Sequence, residues 1–200
     1  MPRPRTVTPE LPSEIGVHAG LSYSLWLPRL AEPEGGVVVL HGAGSSKENH
    51  HDFARAAIGA ELAAIALRGS SMGGYLALVS AAAVNAAAVV AICPASDEGL
   101  RRGLSSNRFT FDADRPALDR FLADHDVASA ARELEVPVLL LHAEGDEQVP
   151  VEHSRELAAL FRSPRSRLIT IPGGHHRSIQ HDAEMQAVSL RFIARELESG

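Results

Sequence analysis

Three polar residues that could cooperate in nucleophilic catalysis each follow a separate apolar segment: Ser71, Asp146 and His176. A serine hydroxyl is a weak nucleophile at neutral pH, and histidine titrates in the range suited to taking and returning its proton. The imidazole in turn needs a carboxylate that holds its tautomer and stabilises its charged form. If folding gathers these side chains, the three residues predict attack of a serine on an acyl carbon.

Ser71 lies in a glycine-rich turn, residues 69–74, with the sequence Gly-Ser-Ser-Met-Gly-Gly. An apolar run over 62–67 precedes it and a helix-compatible run over 75–83 follows, so the pattern fits a strand, a nucleophile elbow and a helix. Glycines beside a strained serine avoid collisions with the strand and helix, and the helix N-terminus would stabilise an oxyanion. The same residues also fit an ordinary Gly/Ser turn, so the interpretation depends on the distant acid and histidine.

The residues alone leave alternatives for the acid and the base. His175 directly precedes His176, and Asp97 follows another predicted strand. Adjacent histidines at His50 and His51 point to different sides of a helix, which predicts a solvated face rather than a metal site. The chain has no His-x-x-x-His pair, and we expect a reaction without a metal or cofactor.

Composition argues against several classes of protein. The net charge of −6 and the lack of a basic patch with interleaved aromatics argue against nucleic-acid and anionic membrane partners. The single cysteine, Cys93, cannot form an internal disulfide. No signal peptide or transmembrane run is visible, so we expect a cytoplasmic protein that acts on a small acyl molecule. Arginine far outnumbers lysine and alanine is abundant, which together suggest a bacterial source.

After a predicted N-terminal antiparallel hairpin, apolar segments typical of buried strands alternate with segments typical of helices. This order predicts the α/β class, as a three-layer sandwich with a mostly parallel sheet and an antiparallel N-terminal hairpin. The continuously apolar run 37–40 is typical of a central strand covered on both faces. Predicted strands cover 15–18, 21–27, 37–40, 62–68, 86–93, 138–142 and 168–171. Predicted helices cover 47–59, 75–83, 126–133, 151–161 and 183–197.

Two segments lie outside this alternation. Residues 1–13 are polar and Pro-rich and predict an extended arm, whereas residues 95–125 predict a short cap-like insertion. The 200 residues predict one domain spanning 1–200. Phe109 and Phe111 in the insertion are candidates for lining an acyl pocket, and the small cap makes large lipid substrates less natural.

The sequence resembles the α/β-hydrolase family, particularly its small esterase-like and dienelactone-hydrolase-like members. The segments that carry the resemblance are the oxyanion strand and loop (37–45), the elbow (69–74), the acid strand and loop (136–150) and the histidine loop (172–177). The family's Gly-x-x-His form selects His176, and a Gly-His form would select His175. The resemblance implies the following roles: nucleophile Ser71, orienting acid Asp146, and backbone oxyanion donors Met72 and Ala43.

One departure from the family pattern concerns the region before the elbow. Only residues 46–67 separate the oxyanion strand from the elbow, so one strand-helix unit is missing. Either the hairpin shifts inward to close the gap, or an edge of the sheet is exposed. The leading hypothesis is a serine hydrolase that cleaves a carboxylic ester or related acyl bond through an acyl-enzyme. The alternatives are an inactive hydrolase-like binding module and a serine peptidase of the same fold.

Overall fold

The computed structural model describes residues 10–28, 35–58, 62, 64–109 and 111–198, and a β-hairpin is its first element. The hairpin pairs β1 (Glu14–His18) with β2 (Leu21–Leu25) in antiparallel register. Its two turn residues, Ala19 and Gly20, both have positive φ, as a tight type I′ turn requires. The predicted antiparallel hairpin is therefore confirmed.

A five-stranded parallel sheet forms the middle of the molecule. Its strands lie in chain order: β3 (Gly36–Leu40), β4 (Ile65–Ser70), β5 (Ala88–Ile92), β6 (Val138–Ala143) and β7 (Arg167–Ile171). Every residue of β5 and β6 is buried, as expected for apolar strands with helices on both faces. The carboxyl ends of all five strands therefore lie along one edge, where the loops with the candidate site residues begin.

Helices cover both faces of this sheet. They are α1 (His51–Ala57), α2 (Met72–Ser80), α3 (Asp97–Ser105), α4 (Arg115–Asp124), α5 (Val127–Glu133), α6 (Val151–Ala158) and α7 (Ala183–Glu198). Apolar residues of α2 to α6 form one core with the sheet, and those of α1 and α7 form a second core on the opposite face. Alternate residues of β5 enter the two cores because a strand has a side-chain period of two. The predicted three-layer sandwich is confirmed.

The hairpin does not close the gap in the sheet. Within the described residues it forms a sheet of its own, and β3 is the edge strand of the parallel sheet. Val38 of β3 is 46% exposed, and Ile15, Val17 and Leu21 of the hairpin are more exposed still. The expectation that 37–40 is a central strand covered on both faces is therefore wrong, because no described strand pairs with its outer side.

The described residues between β3 and β4 contain one short 3₁₀ turn (Lys47–His50) and α1, so the predicted helix 47–59 is divided. The predicted strand 62–68 instead begins at Ile65 and continues to Ser70. Residues 1–9 of the predicted arm lie outside the described part of the chain. Residues 95–125 contain α3 and α4, which pack on each other. The division into one domain, an arm and a cap stays a prediction.

Candidate active site

Ser71 lies in a sharp turn between the end of β4 and the start of α2. Its backbone has φ of 56° and ψ of −118°, a conformation that persists only where the surroundings enforce it. Its N–H donates to the carbonyl oxygen of Ile92 at 2.9 Å, and its own carbonyl accepts from the N–H groups of Tyr75 at 3.0 Å and Ala95 at 3.1 Å. These three hydrogen bonds fix the strained turn.

Two glycines make this turn sterically possible. A Cβ atom on Gly69 would collide with the backbone of Gly73, and one on Gly73 would collide with the carbonyl group of Leu40 in β3. The close approach of α2 to β3 and β4 therefore requires glycine at both positions. This is the physical reason, anticipated from the sequence, for the Gly-x-Ser-x-Gly spacing.

The imidazole of His176 and the carboxylate of Asp146 form a buried pair. Nδ1 of the ring lies 2.7 Å from Oδ2 of the carboxylate, whose side chain has no solvent exposure. Because an ionised carboxylate only accepts hydrogen bonds, Nδ1 carries the hydrogen and Nε2 is left as an acceptor. The pair thus has the tautomer that a general base needs.

Hydrogen bonds between the loops after β6 and β7 bring this pair together. The N–H of Glu144 donates to the carbonyl oxygen of Ile171, and that of Gly145 donates to the carbonyl oxygen of Gly173, both at 2.9 Å. Because β6 and β7 are parallel neighbours, their carboxyl-terminal loops leave the sheet side by side. The two residues are thirty positions apart in sequence, yet adjacent strands place them in contact.

Asp146 is kept ionised by its surroundings. Burial acts to raise the pKa of its carboxyl group, but hydrogen bonds from His142, from His176 and from the backbone N–H groups of Val149 and Gln148 outweigh burial and lower that pKa below its usual range. The carboxylate therefore remains negatively charged beside the imidazole at neutral pH.

The alternative base and acid are placed elsewhere. His175 is exposed, and its Nδ1 accepts a hydrogen bond from the backbone N–H of Arg177 at 3.3 Å. Asp97 begins α3, where its Oδ1 accepts from the N–H of Val127 at 3.3 Å. The structure thus brings Asp146 to His176, and it brings neither alternative residue into this pair.

The loop after β3 borders the serine. A Cβ atom on Gly42 would lie 3.1 Å from Cβ of Ser71, so the loop backbone touches the serine side chain. Ala43 lines the cavity beside the serine. Met72 is the first residue of α2, whose initial N–H groups have no intrahelical acceptor. The two predicted oxyanion donors therefore lie on segments that flank Ser71.

Two adjoining cavities open at Ser71 and His176, with volumes of about 370 Å³ and about 220 Å³. Both residues line both cavities, although no hydrogen bond joins the Ser71 hydroxyl to the ring within the described residues. Catalytic hydrogen bonds commonly tighten only when substrate binds. Phe109 lines both cavities, whereas Phe111 lines neither and stacks on Phe109 with ring centroids 5.3 Å apart.

Besides His176, His142 also contacts the acid. It is fully buried at the end of β6, where its Nδ1 lies 2.7 Å from the Ser154 hydroxyl and its Nε2 2.9 Å from the carbonyl oxygen of Val149. Nε2 is also 3.5 Å from Oδ2 of Asp146. Because both of these partners of Nε2 only accept, Nε2 carries the hydrogen. Asp146 thus lies between two imidazoles.

Cys93 also borders the acid. It is completely buried, and its backbone has a positive φ of 42°. Burial raises the pKa of its thiol, and a hydrogen bond to Asp146 acts in the same direction. Among the described residues, Cys93, Asp146 and His176 are the one group whose potential metal-ligand atoms all lie within 4.8 Å of one another. Asp146 and His176 of this group are already hydrogen-bonded to each other at 2.7 Å, so the group fits the support of the acid–histidine pair.

A second buried polar cluster lies behind the smaller cavity. Arg68 of β4 has no solvent exposure, stacks its guanidinium 3.9 Å from the ring centroid of Phe53, and donates to the carbonyl oxygen of Gln180 at 3.3 Å. Its Nε and Nη1 atoms and both ring nitrogens of His50 have no hydrogen-bond partner in the described part of the chain. The predicted solvated face is wrong for His50, which is 4% exposed. Burial, reinforced by the charge of Arg68, lowers the pKa of His50 to about 4.

The parallel sheet, the serine turn and the acid–histidine pair at the carboxyl ends of the strands define an α/β-hydrolase. The sequence model of the prolyl oligopeptidase family matches residues 50–200, which is more than half of the chain, and the chain therefore belongs to that family. Across the described residues, no helix combines the length and the apolar character needed to cross a membrane.

Two relatives match a short part of the chain. The protein named "Uncharacterized protein YfhR" from Salmonella typhi is 40% identical over 58 residues, which are 29% of this chain and 18% of YfhR. The chain thus spans less than a fifth of that relative's length, and the same values apply to YfhR from Salmonella typhimurium.

Solved structures share the fold at low sequence identity. Est1E from Butyrivibrio proteoclasticus has a TM-score of 0.61 at 15% identity, over 94% of this chain and 98% of that one. The monoacylglycerol lipase of Paleococcus ferrophilus has a TM-score of 0.58 at 19% identity, over 84% and 95%. The esterase Pf2001 of Pyrococcus furiosus has a TM-score of 0.60 at 19% identity, over 82% and 81%.

Proposed function

We propose that this protein is a serine hydrolase that cleaves a carboxylic ester of a small acyl group through an acyl-enzyme. The observation that carries the proposal is the buried hydrogen bond of 2.7 Å between His176 and Asp146 at cavities that the strained Ser71 also lines. Structural likeness to proteins named as esterases and lipases supports the choice of an ester bond.

In the proposed reaction, the hydroxyl oxygen of Ser71 attacks the carbonyl carbon while Nε2 of His176 takes its proton. The N–H groups of Met72 and Ala43 hold the oxyanion, and Asp146 stabilises the imidazolium. The tetrahedral intermediate then expels the alcohol, which receives the proton from His176. A water molecule, activated by the same ring, attacks the acyl-enzyme, and its collapse releases the carboxylic acid and restores Ser71.

The first experiment tests the nucleophile. A fluorophosphonate probe should label the wild-type protein, and mass spectrometry should locate the label on Ser71. Ser71→Ala should lose both the labelling and the hydrolysis of p-nitrophenyl butyrate. Ser80→Ala, at the other end of α2 where the hydroxyl bonds to the carbonyl oxygen of Leu76, serves as the matched control and should keep both. Equal labelling of wild type and Ser71→Ala would overturn the assignment.

A serine peptidase is the second candidate function, and the match to the prolyl oligopeptidase family favours it. The same nucleophile and base would serve, because the amine leaving group also takes a proton from histidine. Matched acyl p-nitrophenyl esters and p-nitroanilides separate the two candidates. The ester hypothesis expects a much larger kcat/KM for the ester, whereas comparable values with a peptidyl anilide would favour the peptidase. Turnover of neither substrate, with no labelling, would instead favour the hydrolase-like binding module.

A further inference from the structure

The two cavities at Ser71 differ in the charges of the side chains that line them. The larger one has arginines and glutamates, with Arg102 and Arg108 on one wall and Glu152 and Glu156 on another. The smaller one is lined by Arg108 and Arg177, and none of its lining residues is Asp or Glu in the described part of the chain. The smaller cavity is therefore a cationic recess beside the serine and the oxyanion loop.

The end of α3 holds Arg108 at the mouth of this recess. The N–H of Arg108 donates to the carbonyl oxygen of Gly103 at 3.0 Å, and Asn107 has a positive φ, which together form a Schellman-type helix end. The guanidinium of Arg115 donates to the carbonyl oxygens of Leu104 at 3.2 Å and of Phe109 at 3.5 Å. Arg108, directly after this helix end, lines both cavities.

The histidine loop holds Arg177 on the opposite side. Its N–H donates to Nδ1 of His175 at 3.3 Å, within a turn closed by the bond from the N–H of Ser178 to the carbonyl oxygen of His175 at 2.9 Å. The Nη2 atom of Arg177 lies 3.9 Å from the position that a Cβ would take on Gly44. The positive charge of Arg177 thus lies over the loop that carries Ala43, one residue from the proposed oxyanion donor.

Neither guanidinium has a protein partner in the part of the chain that the structure describes. In the described residues, no hydrogen bond or ion pair is made by the side chain of Arg108 or of Arg177, whereas Arg101 pairs with Asp119 and Arg102 with Glu98. Two unpaired arginines that border a recess next to a nucleophile form a suitable site for a planar anion, because the guanidinium fork matches a carboxylate. The charge of these side chains is therefore available to a ligand.

We propose that the smaller cavity binds a carboxylate carried on the acyl group of the substrate, so that the protein prefers half-esters of short dicarboxylic acids. This inference rests on the proposed serine hydrolase function and adds a specificity site to it. The Nη2 atom of Arg177 lies 3.9 Å from a Cβ position on Gly44, the residue after the proposed oxyanion donor Ala43, so we expect only a short carbon chain between the carboxylate and the scissile carbonyl. Arg108 would close over the same anion from the end of α3.

The kinetic test compares esters that differ only in this charge. Monomethyl succinate is matched with methyl butyrate, and monomethyl glutarate with methyl pentanoate, because in each pair a carboxylate replaces a terminal methyl group. Hydrolysis is followed in a pH-stat at low and high salt. We expect a larger kcat/KM for the charged ester of each pair, and a smaller preference at high salt because exposed charges are screened.

Variants assign the preference to the two arginines. Arg108→Gln and Arg177→Gln should each lower the ratio of charged to neutral kcat/KM by roughly tenfold, as expected for loss of a charge-assisted hydrogen bond. Arg101→Gln, on α3 but lining neither cavity, removes the same charge and should leave the ratio unchanged. Hydrolysis of all four esters without a preference for the charged ones would overturn the inference. A ratio of charged to neutral kcat/KM that neither Arg108→Gln nor Arg177→Gln changes would also overturn it. Both results would leave the proposed function intact.

A binding measurement separates the inference from the reaction. Glutarate is titrated calorimetrically into the Ser71→Ala protein, which needs no turnover. Binding that weakens in Ser71→Ala/Arg177→Gln supports the carboxylate site even if no ester is hydrolysed, in which case the proposed function fails alone. No binding of glutarate, together with no preference for charged esters, overturns the site.

Discussion

Across its strand order, the parallel sheet has a β3–β4 end and a β6–β7 end. The two ends differ in whether their buried polar groups have hydrogen-bond partners. At the β6–β7 end, Asp146 contacts both His142 and His176 and accepts hydrogen bonds from two backbone N–H groups. At the β3–β4 end, Arg68 and His50 are buried with two unbonded nitrogens each among the described residues. An unsatisfied buried polar group typically costs about 1–3 kcal/mol. The acid–histidine end is therefore preorganised, whereas the other end carries a stability cost.

The unbonded polar groups lie at the end of the sheet where the connection between neighbouring strands is short. We call the β3–β4 end the shortened end and the β6–β7 end the completed end. Residues 41–64 connect β3 to β4 through one 3₁₀ turn and α1, and β3 has no partner on its outer side within the described residues. Exposed apolar side chains lie at the same end, including Val38 and Ile65. We infer that the positioning of the acid and the base depends on the β6–β7 end and that the stability is limited by the β3–β4 end. Variants at each end test this division.

The largest expected effect is the loss of activity in Asp146→Asn. An amide in place of the carboxylate offers His176 the wrong hydrogen-bonding pattern and removes the charge that stabilises imidazolium. We expect kcat/KM for p-nitrophenyl butyrate to fall by about 10³–10⁴-fold. Glu144→Gln, an exposed change on the same loop, should retain wild-type activity. A loss smaller than tenfold in Asp146→Asn would show that the completed end does not control the chemistry.

His142→Phe should remove the support of the acid at the completed end. The substitution keeps a ring in the core but leaves the Ser154 hydroxyl, the Val149 carbonyl and one side of Asp146 without their partner. We expect the free energy of unfolding at pH 7.5, measured by urea denaturation, to fall by about 2–4 kcal/mol. Ser154→Ala removes a single hydrogen bond and should cost about 1 kcal/mol. Equal stability of His142→Phe and the wild type would contradict the proposed pairing.

The shortened end should make the protein sensitive to acid through His50. Its pKa is lowered to about 4 in the folded state, so between about pH 4 and 6.5 the unfolded chain binds a proton there that the folded protein does not. The contribution of neutral His50 to the free energy of unfolding is therefore fully present above pH 6.5. It is lost as pH falls through this window, and the loss reaches about 2 kcal/mol at pH 5.

Matched substitutions isolate this effect from the other histidines. His50→Gln should reduce the difference in free energy of unfolding between pH 7.5 and pH 5 by about 2 kcal/mol. His18→Gln, on the exposed strand β1, should leave that difference as in the wild type. The same pH dependence in all three proteins would show that His50 is hydrated or paired in solution.

The candidate site residues that follow β4, β6 and β7 could be predicted from sequence because their signals are local. The spacing of Gly69, Ser71 and Gly73 reports a steric requirement of one turn, and Asp146 and His176 follow strands whose apolar runs are unambiguous. Parallel pairing then brings the ends of those strands together without further information. The supporting role of His142 was less accessible, because a histidine at a strand end has no pattern that identifies its partners.

The shortened end could not be predicted in the same way, because its properties depend on what covers each residue. An apolar run such as 37–40 looks the same in a central strand and in an edge strand, and only the number of neighbouring strands distinguishes the two cases. The burial of Arg68 and His50 arises because α1 and α7 pack on the sheet. No local sequence pattern predicts this burial. Helices α3 and α4 were not predicted because charged residues interrupt their apolar positions.

The smallest effect is expected from Arg68→Met, and its sign is opposite to that of His142→Phe. Methionine retains contact with the Phe53 ring and removes a buried charge whose Nε and Nη1 atoms are unbonded. The carbonyl oxygen of Gln180 keeps a hydrogen bond from Nε2 of Gln186 at 3.2 Å when the guanidinium is removed. No new unsatisfied group is therefore created, and we expect the free energy of unfolding to rise by about 1–2 kcal/mol.

Urea denaturation of wild type, Arg68→Met and His142→Phe at pH 7.5 measures both ends under one condition. Removal of Arg68 also removes a positive charge that lowers the pKa of His50, so the loss of stability at pH 5 should become smaller in Arg68→Met. A fall of about 3–5 kcal/mol instead would mean that Arg68 has an anionic partner in solution, since breaking a buried ion pair has that cost. In that case the two ends of the sheet would be equally well satisfied, and the limit on stability would lie elsewhere.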